Sequence, residues 1–490
     1  MTFRTRLVLS TLLAATVVSG GLAMEARLGT RVPIEAAVPA EVSGAWFCPH
    51  GGGEGYRAWV VVANPETTQA NLHLTTYAAG TTPVMSGTTL EPGTHRYLEV
   101  GAPQMAAASV VEFFGAEVSA GMVVAGPNGV GLAAEPCSAR AGSTLYVPES
   151  STLRGEVAHV VVFNPFATDA VVEVRLIAGD RMLRPSPFKG VVLEPGEIRA
   201  FQLNRFALGE EALAATVTAA LGRVGVSGVV VGKAELRAVL ATPAASRIHA
   251  LPGAGDGSEG TLVIAAPTDL EAPFRAAALT GEGEVPALDL ELLPGGTAAA
   301  YPIESPDAGL MVTADGGRSF LAGRRLAPAA PEPPAPADRG KERGGPGGGD
   351  QSRGTRGSGA KGMPKEGRDE RPSRPPEPSA PDLASTAGAG AAARRWVVLP
   401  AVAPEGGPAA LVLVNPGDVA AEATVTYLGE AGVQGDPAAV TVGPRSTVRL
   451  ELPPAPPVTA VVDAAEGSVV AAYVALDPKR YAVAVGIPAD

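Results

Sequence analysis

The sequence predicts an all-β protein of tandem immunoglobulin-like β-sandwich modules, interrupted by a disordered linker rich in Pro, Gly and charge. Three observations carry that prediction. With 61 glycines and 46 prolines in 490 residues, the chain is broken too often for long helices and suits short strands between turns. A set of four landmarks recurs four times in register. Within each recurrence, one strand face stays aliphatic while the other varies.

The N-terminus comes first. Arg4 and Arg6 precede an uncharged run from Leu7 to Met24, with small residues at Gly21-Leu22-Ala23. Basic, apolar and small segments in that order make a secretory signal, or an anchor if it is not cleaved. Residues 1–24 are therefore expected to export the chain, to the extracellular space or the cell surface. Membrane association is expected only through this segment.

The repeat is anchored on proline. Runs ending VVVANP at Pro65, VVVFNP at Pro165 and LVLVNP at Pro416 are joined by a degenerate LVIAAP ending at Pro267. Gly55, Gly155, Gly257 and Gly406 precede these prolines at matching distances, and so do Pro49, Pro148, Pro252 and Pro400. Pro92, Pro195, Pro294 and Pro444 follow them, in EPG, EPG, LPG and GPR. Asn can close an Asx-turn and Pro forbids further ladder, so Asn-Pro ends a strand. The Pro-Gly pair makes a second turn.

The last copy contains seven short runs rich in Val, Leu, Thr and Tyr between turn residues, the signature of an all-β unit. Seven strands in about 90 residues fit an immunoglobulin-like sandwich. A propeller blade needs about half that length, which favours separate sandwiches.

Face assignment follows from comparing copies. Val60, Val160, Leu262 and Leu411 share one strand face with Val62, Val162, Ile264 and Leu413, and that face should be core. Trp59, His159, Thr261 and Ala410 share nothing and should look outward or toward a neighbour.

Between Phe320 and Trp396 there is no aromatic residue, Val or Ile. Such a stretch cannot bury a core and is expected to be disordered, holding the last module away from the others. The predicted division is a signal or anchor at 1–24, modules at 45–140 and 141–246, a degenerate module at 247–327, a linker at 328–394 and a fourth module at 395–490.

WFCP at Trp46–Pro49, Gly55, the strand ending in VVVANP, the later Pro-Gly turn and a cysteine closing the module resemble an exported actinobacterial family designated domain of unknown function 5719. The resemblance covers most of residues 40–490 outside the linker. It implies secretion or membrane anchoring and repeated β modules, and it brings no assigned activity. The Ala266-Pro267 copy departs from the pattern.

Composition and motifs bear on function. A net charge of −12 argues against nucleic acid, because nothing neutralises phosphates in bulk. Cys48 and Cys137 are the only cysteines. In an exported protein they should pair, since one lies in the first strand of the first module and the other just after its last. His50, His73, His95, His159 and His249 sit in no metal-binding spacing, so no metal or cofactor is expected. Glycine-rich GGGEG at Gly51–Gly55 leads into a strand and offers no helix terminus to an anion. No nucleophile, base and oxyanion set assembles, so the chain is not expected to be an enzyme.

Two functions remain. One is an exported, non-catalytic structural or interaction scaffold with an extracellular protein partner. The other is a carbohydrate-binding accessory protein of the cell wall, with Trp46, Tyr56, Trp59 and Trp396 as stacking candidates. Trp46 and Trp396 hold equivalent places before the first strand's proline, which argues for packing. Trp59 is the favoured ligand contact.

Overall fold

A computed structural model describes residues 42–327 and 384–489, apart from 102–103, 234, 254–258 and 306. The expected signal segment and most of the expected linker lie outside the described residues.

The first module has eight strands. They are β1 (Ser43–Cys48), β2 (Arg57–Asn64), β3 (Ala70–Ala78), β4 (Val84–Leu90), β5 (Thr94–Val100), β6 (Ala107–Phe114), β7 (Ser119–Ala125) and β8 (Leu132–Pro136). They form one sheet ordered β1-β6-β3-β4 and a second ordered β5-β2-β7-β8. All pairings within the module are antiparallel. The predicted interior face is the interior: Val60, Val160, Leu262, Leu411, Val62, Val162, Ile264 and Leu413 are all fully buried.

The all-β class holds, but the strand order is not that of an immunoglobulin constant domain, which would pair seven strands as 1-2-5-4 and 3-6-7. Each module adds an eighth strand that hairpins back along the seventh. In the fourth module this is Arg480–Val485, paired with Val470–Asp477 across a two-residue turn. That turn is Pro478-Lys479, and Asp477-Pro478 reads in sequence as the end of a strand rather than the start of another.

The third module corrects the expected linker. Its seventh strand, Leu321–Ala327, pairs with Ala384–Ala387, with Leu326 opposite Ala384. Ala125 opposite Leu132, Val231 opposite Leu236 and Asp477 opposite Arg480 are the equivalent pairs elsewhere. Residues 328–383 are thus an insertion in the last hairpin of the third module. They do not lie between modules, and residues 384–394 are part of the folded body.

The modules are not separate. The middle residues of the four second strands on the outer face, Val61, Val161, Val263 and Val412, are at most 1 % exposed. Module two sets this face against module one, where the Tyr77 and Phe163 rings lie 5.0 Å apart. Module three sets it against module two: Val263, Ala265 and Leu321 share a buried cluster with Ile177 and Ala214.

Module four sets its face against module three. There the Thr447 hydroxyl donates to the Leu279 carbonyl and accepts from the Gly309 N–H at 3.1 Å. Module four in turn covers the outer face of module one. The Tyr97 hydroxyl donates to the Val402 carbonyl at 2.9 Å, and a Cβ on Gly121 would lie 2.9 Å from Leu399 Cδ1. The ring is closed.

The four eighth strands neighbour one another in cyclic order, module one to two, two to three, three to four and four to one. Seven hydrogen-bonded sheets surround them, two per repeat except that a single parallel bridge between Thr94 and Gly429 joins one sheet of module one to one of module four, an arrangement of the propeller kind. The length argument for separate sandwiches fails because one repeat supplies two blades. Each fully buried outer-face valine contributes about 1.5–3 kcal/mol, which a tethered module would forgo.

Candidate functional site

The sequence motifs hold strand ends, and one of them meets the neighbouring module. Asn164 is fully buried at the end of its strand. Its Nδ2 donates to the carbonyls of Thr168 at 2.8 Å and of Leu193 and Glu194 at 3.0 Å, and its Oδ1 accepts from the Phe166 N–H. Asn64 and Asn415 make the corresponding bonds. The predicted Asx-turn is present, and the same amide also clamps the end of the fourth strand.

The Pro-Gly turn has a role that its sequence did not show. Gly93, Gly196 and Gly296 have φ of 65°, 73° and 72°. They lie against Val433, Tyr77 and Met182 respectively, each a residue of the preceding module. In the fourth copy Arg445 takes the position with φ 50° and reaches Glu284 of module three at 3.3 Å. Glycine recurs there because the left-handed conformation and the close approach coincide.

The expected ligand contact is corrected. Trp59 is 3 % exposed, because β2 is a central strand with both faces covered. The Arg57 guanidinium lies 4.6 Å from the centre of its ring. Trp46 and Trp396 are buried too, and their indole N–H groups donate to the Val118 and Val469 carbonyls at 2.8 and 2.6 Å. Tyr56 is partly exposed beside Gly53. Cys48 and Cys137 form a disulfide.

The histidines fall apart from one another. His73 packs edge-on to Phe114, and His159 is half-buried on its strand. His50 and His249 are buried; burial lowers the His50 pKa to about 4. His95 sits in the joint between modules one and four, accepting the Thr459 N–H at Nδ1. Burial lowers its pKa to about 4. Among the described residues no group of three or more His, Cys, Asp or Glu could hold a metal ion.

The densest chemistry in the body was missed by sequence reasoning. Glu149, 1 % exposed, accepts from Arg237 of its own module at 2.9 Å and from Arg325 of module three at 2.6 Å. Arg237 also donates to Ser151 and Glu156 and lies 3.7 Å from Glu235. Burial pushes the Glu235 carboxyl up to about 7, with Glu156 adding to the shift and Arg237 opposing it. The network is sealed, with no room for a substrate at Glu149, and it staples module three to module two. Breaking one partner of such a set costs about 3–5 kcal/mol.

A second buried carboxyl, that of Glu135 on β8, lies where the eighth strands of modules one and two meet, hydrogen-bonded to the Leu240 backbone. Burial holds its pKa well above the usual carboxylate range. An open cleft of about 700 Å³ lies at the rim between modules one and two and is lined by Tyr77, Phe166, Pro195 and Glu194.

Comparison with known families agrees with the resemblance read in the sequence. Residues 101–323 match the model of a family of unknown function, DUF5719. The DUF5719 match begins after β5, takes in the whole second module and ends within the seventh strand of the third. It therefore spans two of the joints described above. No curated protein matches the chain.

Proposed function

We propose that this protein is an exported, non-catalytic interaction scaffold that presents loops and edge strands from a rigid ring. One observation carries the reading. Every module buries its outer sheet face against a neighbour, so among the described residues the exposed groups are rim loops and edge strands. The buried Cys48–Cys137 bond supports an oxidising compartment. The apolar run from Leu7 to Met24 supports export. The sealed charge network supports a structural role for the one cluster that resembles a catalytic constellation.

The carbohydrate reading gains nothing from the structure, since all three tryptophans are buried. The test is fractionation of cells expressing tagged protein, followed by cross-linking of the intact surface. The proposal expects the protein outside the cytoplasm and joined to a discrete protein partner. Recovery from the cytoplasm, or a surface protein that cross-links to nothing, overturns it.

A further inference from the structure

We propose that the free edge of the strand Gly283–Leu293, at the rim of module three, docks an extended basic strand of a partner protein. The inference rests on the scaffold reading and names where its partner sits. This strand is last in its sheet and, among the described residues, pairs only with Ala272–Thr280. Beyond Pro286, which has no N–H, the stretch from Ala287 to Leu293 offers backbone groups on its other side to an added strand.

The side chains are out of keeping with a solvent edge. Leu290 and Leu292 are 59 % and 57 % exposed on one face. Leu292 shares a cleft with Leu270, and Leu290 lines the adjoining one with Met311.

The repeat supplies an internal control. Leu293 opposite Ala272 corresponds to Leu90 opposite Ala70, Leu193 opposite Ala170 and Val442 opposite Ala421. Counting back one residue, Leu292 corresponds to Thr89, Val192 and Thr441. Counting back three, Leu290 corresponds to Gly87, Gly190 and Ala439. Packing within the ring does not require leucine at either place, because the other modules manage without it.

Charge selects the occupant. Beyond Glu284, which Arg445 of module four already pairs, Gly283–Leu293 contains Asp289 and Glu291 and no Lys or Arg, although edge strands are commonly protected by lysine. A second copy of this strand would bring like charges together, whereas a strand alternating apolar residues with Lys or Arg is complementary.

The probe is a nine-residue peptide alternating Val and Lys, titrated against the full-length protein, with a Val/Glu peptide as control. Binding of the Val/Lys peptide is expected, with slowed amide exchange across 283–293. The double substitution Leu290→Thr, Leu292→Thr, which leaves the charge unchanged, should weaken binding at least tenfold without altering the melting temperature.

Equal binding by the variant, or equal binding of the Val/Glu peptide, overturns the proposal. So does self-association that the double substitution abolishes, which would make a second copy the occupant. Binding that appears only after deletion of 328–383 would assign the edge to the chain's own insertion and also overturns it. Each of these failures leaves the scaffold reading standing, because that is tested by cross-linking at the cell surface.

Discussion

The Tyr97 hydroxyl of the first module donates to the Val402 carbonyl of the fourth, 305 residues away in the chain. This bond sits in the joint that closes the ring. Tyr97→Phe leaves that carbonyl without its phenol donor, so a loss of about 1–2 kcal/mol is expected in urea unfolding. A change below the error of the measurement would mean that the joint is not formed in solution.

Trp59→Ala should act as a core deletion. The ring fills space between modules one and four, and removing it should cost about 3–5 kcal/mol. Equilibrium unfolding reads the value. A small effect would place the indole in solvent.

Asn164→Ala removes an amide that satisfies three carbonyls and one N–H. Some of these groups are buried, so the loss should exceed that of one ordinary hydrogen bond and reach about 2–3 kcal/mol. The degenerate copy, with Ala266 in that place, identifies the module where the clamp is already absent.

His95 gives the ring a pH dependence of known sign. The unfolded chain protonates His95 below about 6.5, whereas the folded chain does so only near 4. The folded state therefore binds fewer protons in that window, and this group's contribution to stability falls as the pH drops from 6.5 toward 4. Comparing wild type with His95→Gln at pH 7.5 and pH 4 isolates it. The stability difference should move against the wild type by roughly 3 kcal/mol between those conditions. A pH-independent difference would show that His95 is not buried in the closing joint.

The strand content, the repeat, the Asn-Pro turn, the disulfide and the core face were legible because each rests on local chemistry. Period-two comparison finds Val60 and Val62, and only a turn needs Asn-Pro. The ring was not legible, because closure depends on residues hundreds of positions apart. A trace of it was nevertheless present. VVVAN, VVVFN and LVLVN are unbroken apolar runs, which suit strands covered on both faces rather than half-exposed ones. Glu149, Arg237 and Arg325 carry no motif, since they meet only across a module joint. The insertion concealed the eighth strand of module three because Ala384–Ala387 is short and lacks β-branched aliphatics.

The central claim is that four modules close on one another, so that residues 328–383 hold nothing apart. The most direct test introduces a site-specific protease sequence between residues 350 and 360, cleaves the native protein and follows it by size-exclusion chromatography. Leu326 and Ala384 pair in one hairpin, and the fourth module packs on both the third and the first. The two fragments should therefore co-elute at the position of the uncut protein and separate only in denaturant. Elution of an independent C-terminal fragment from the native digest would contradict the ring.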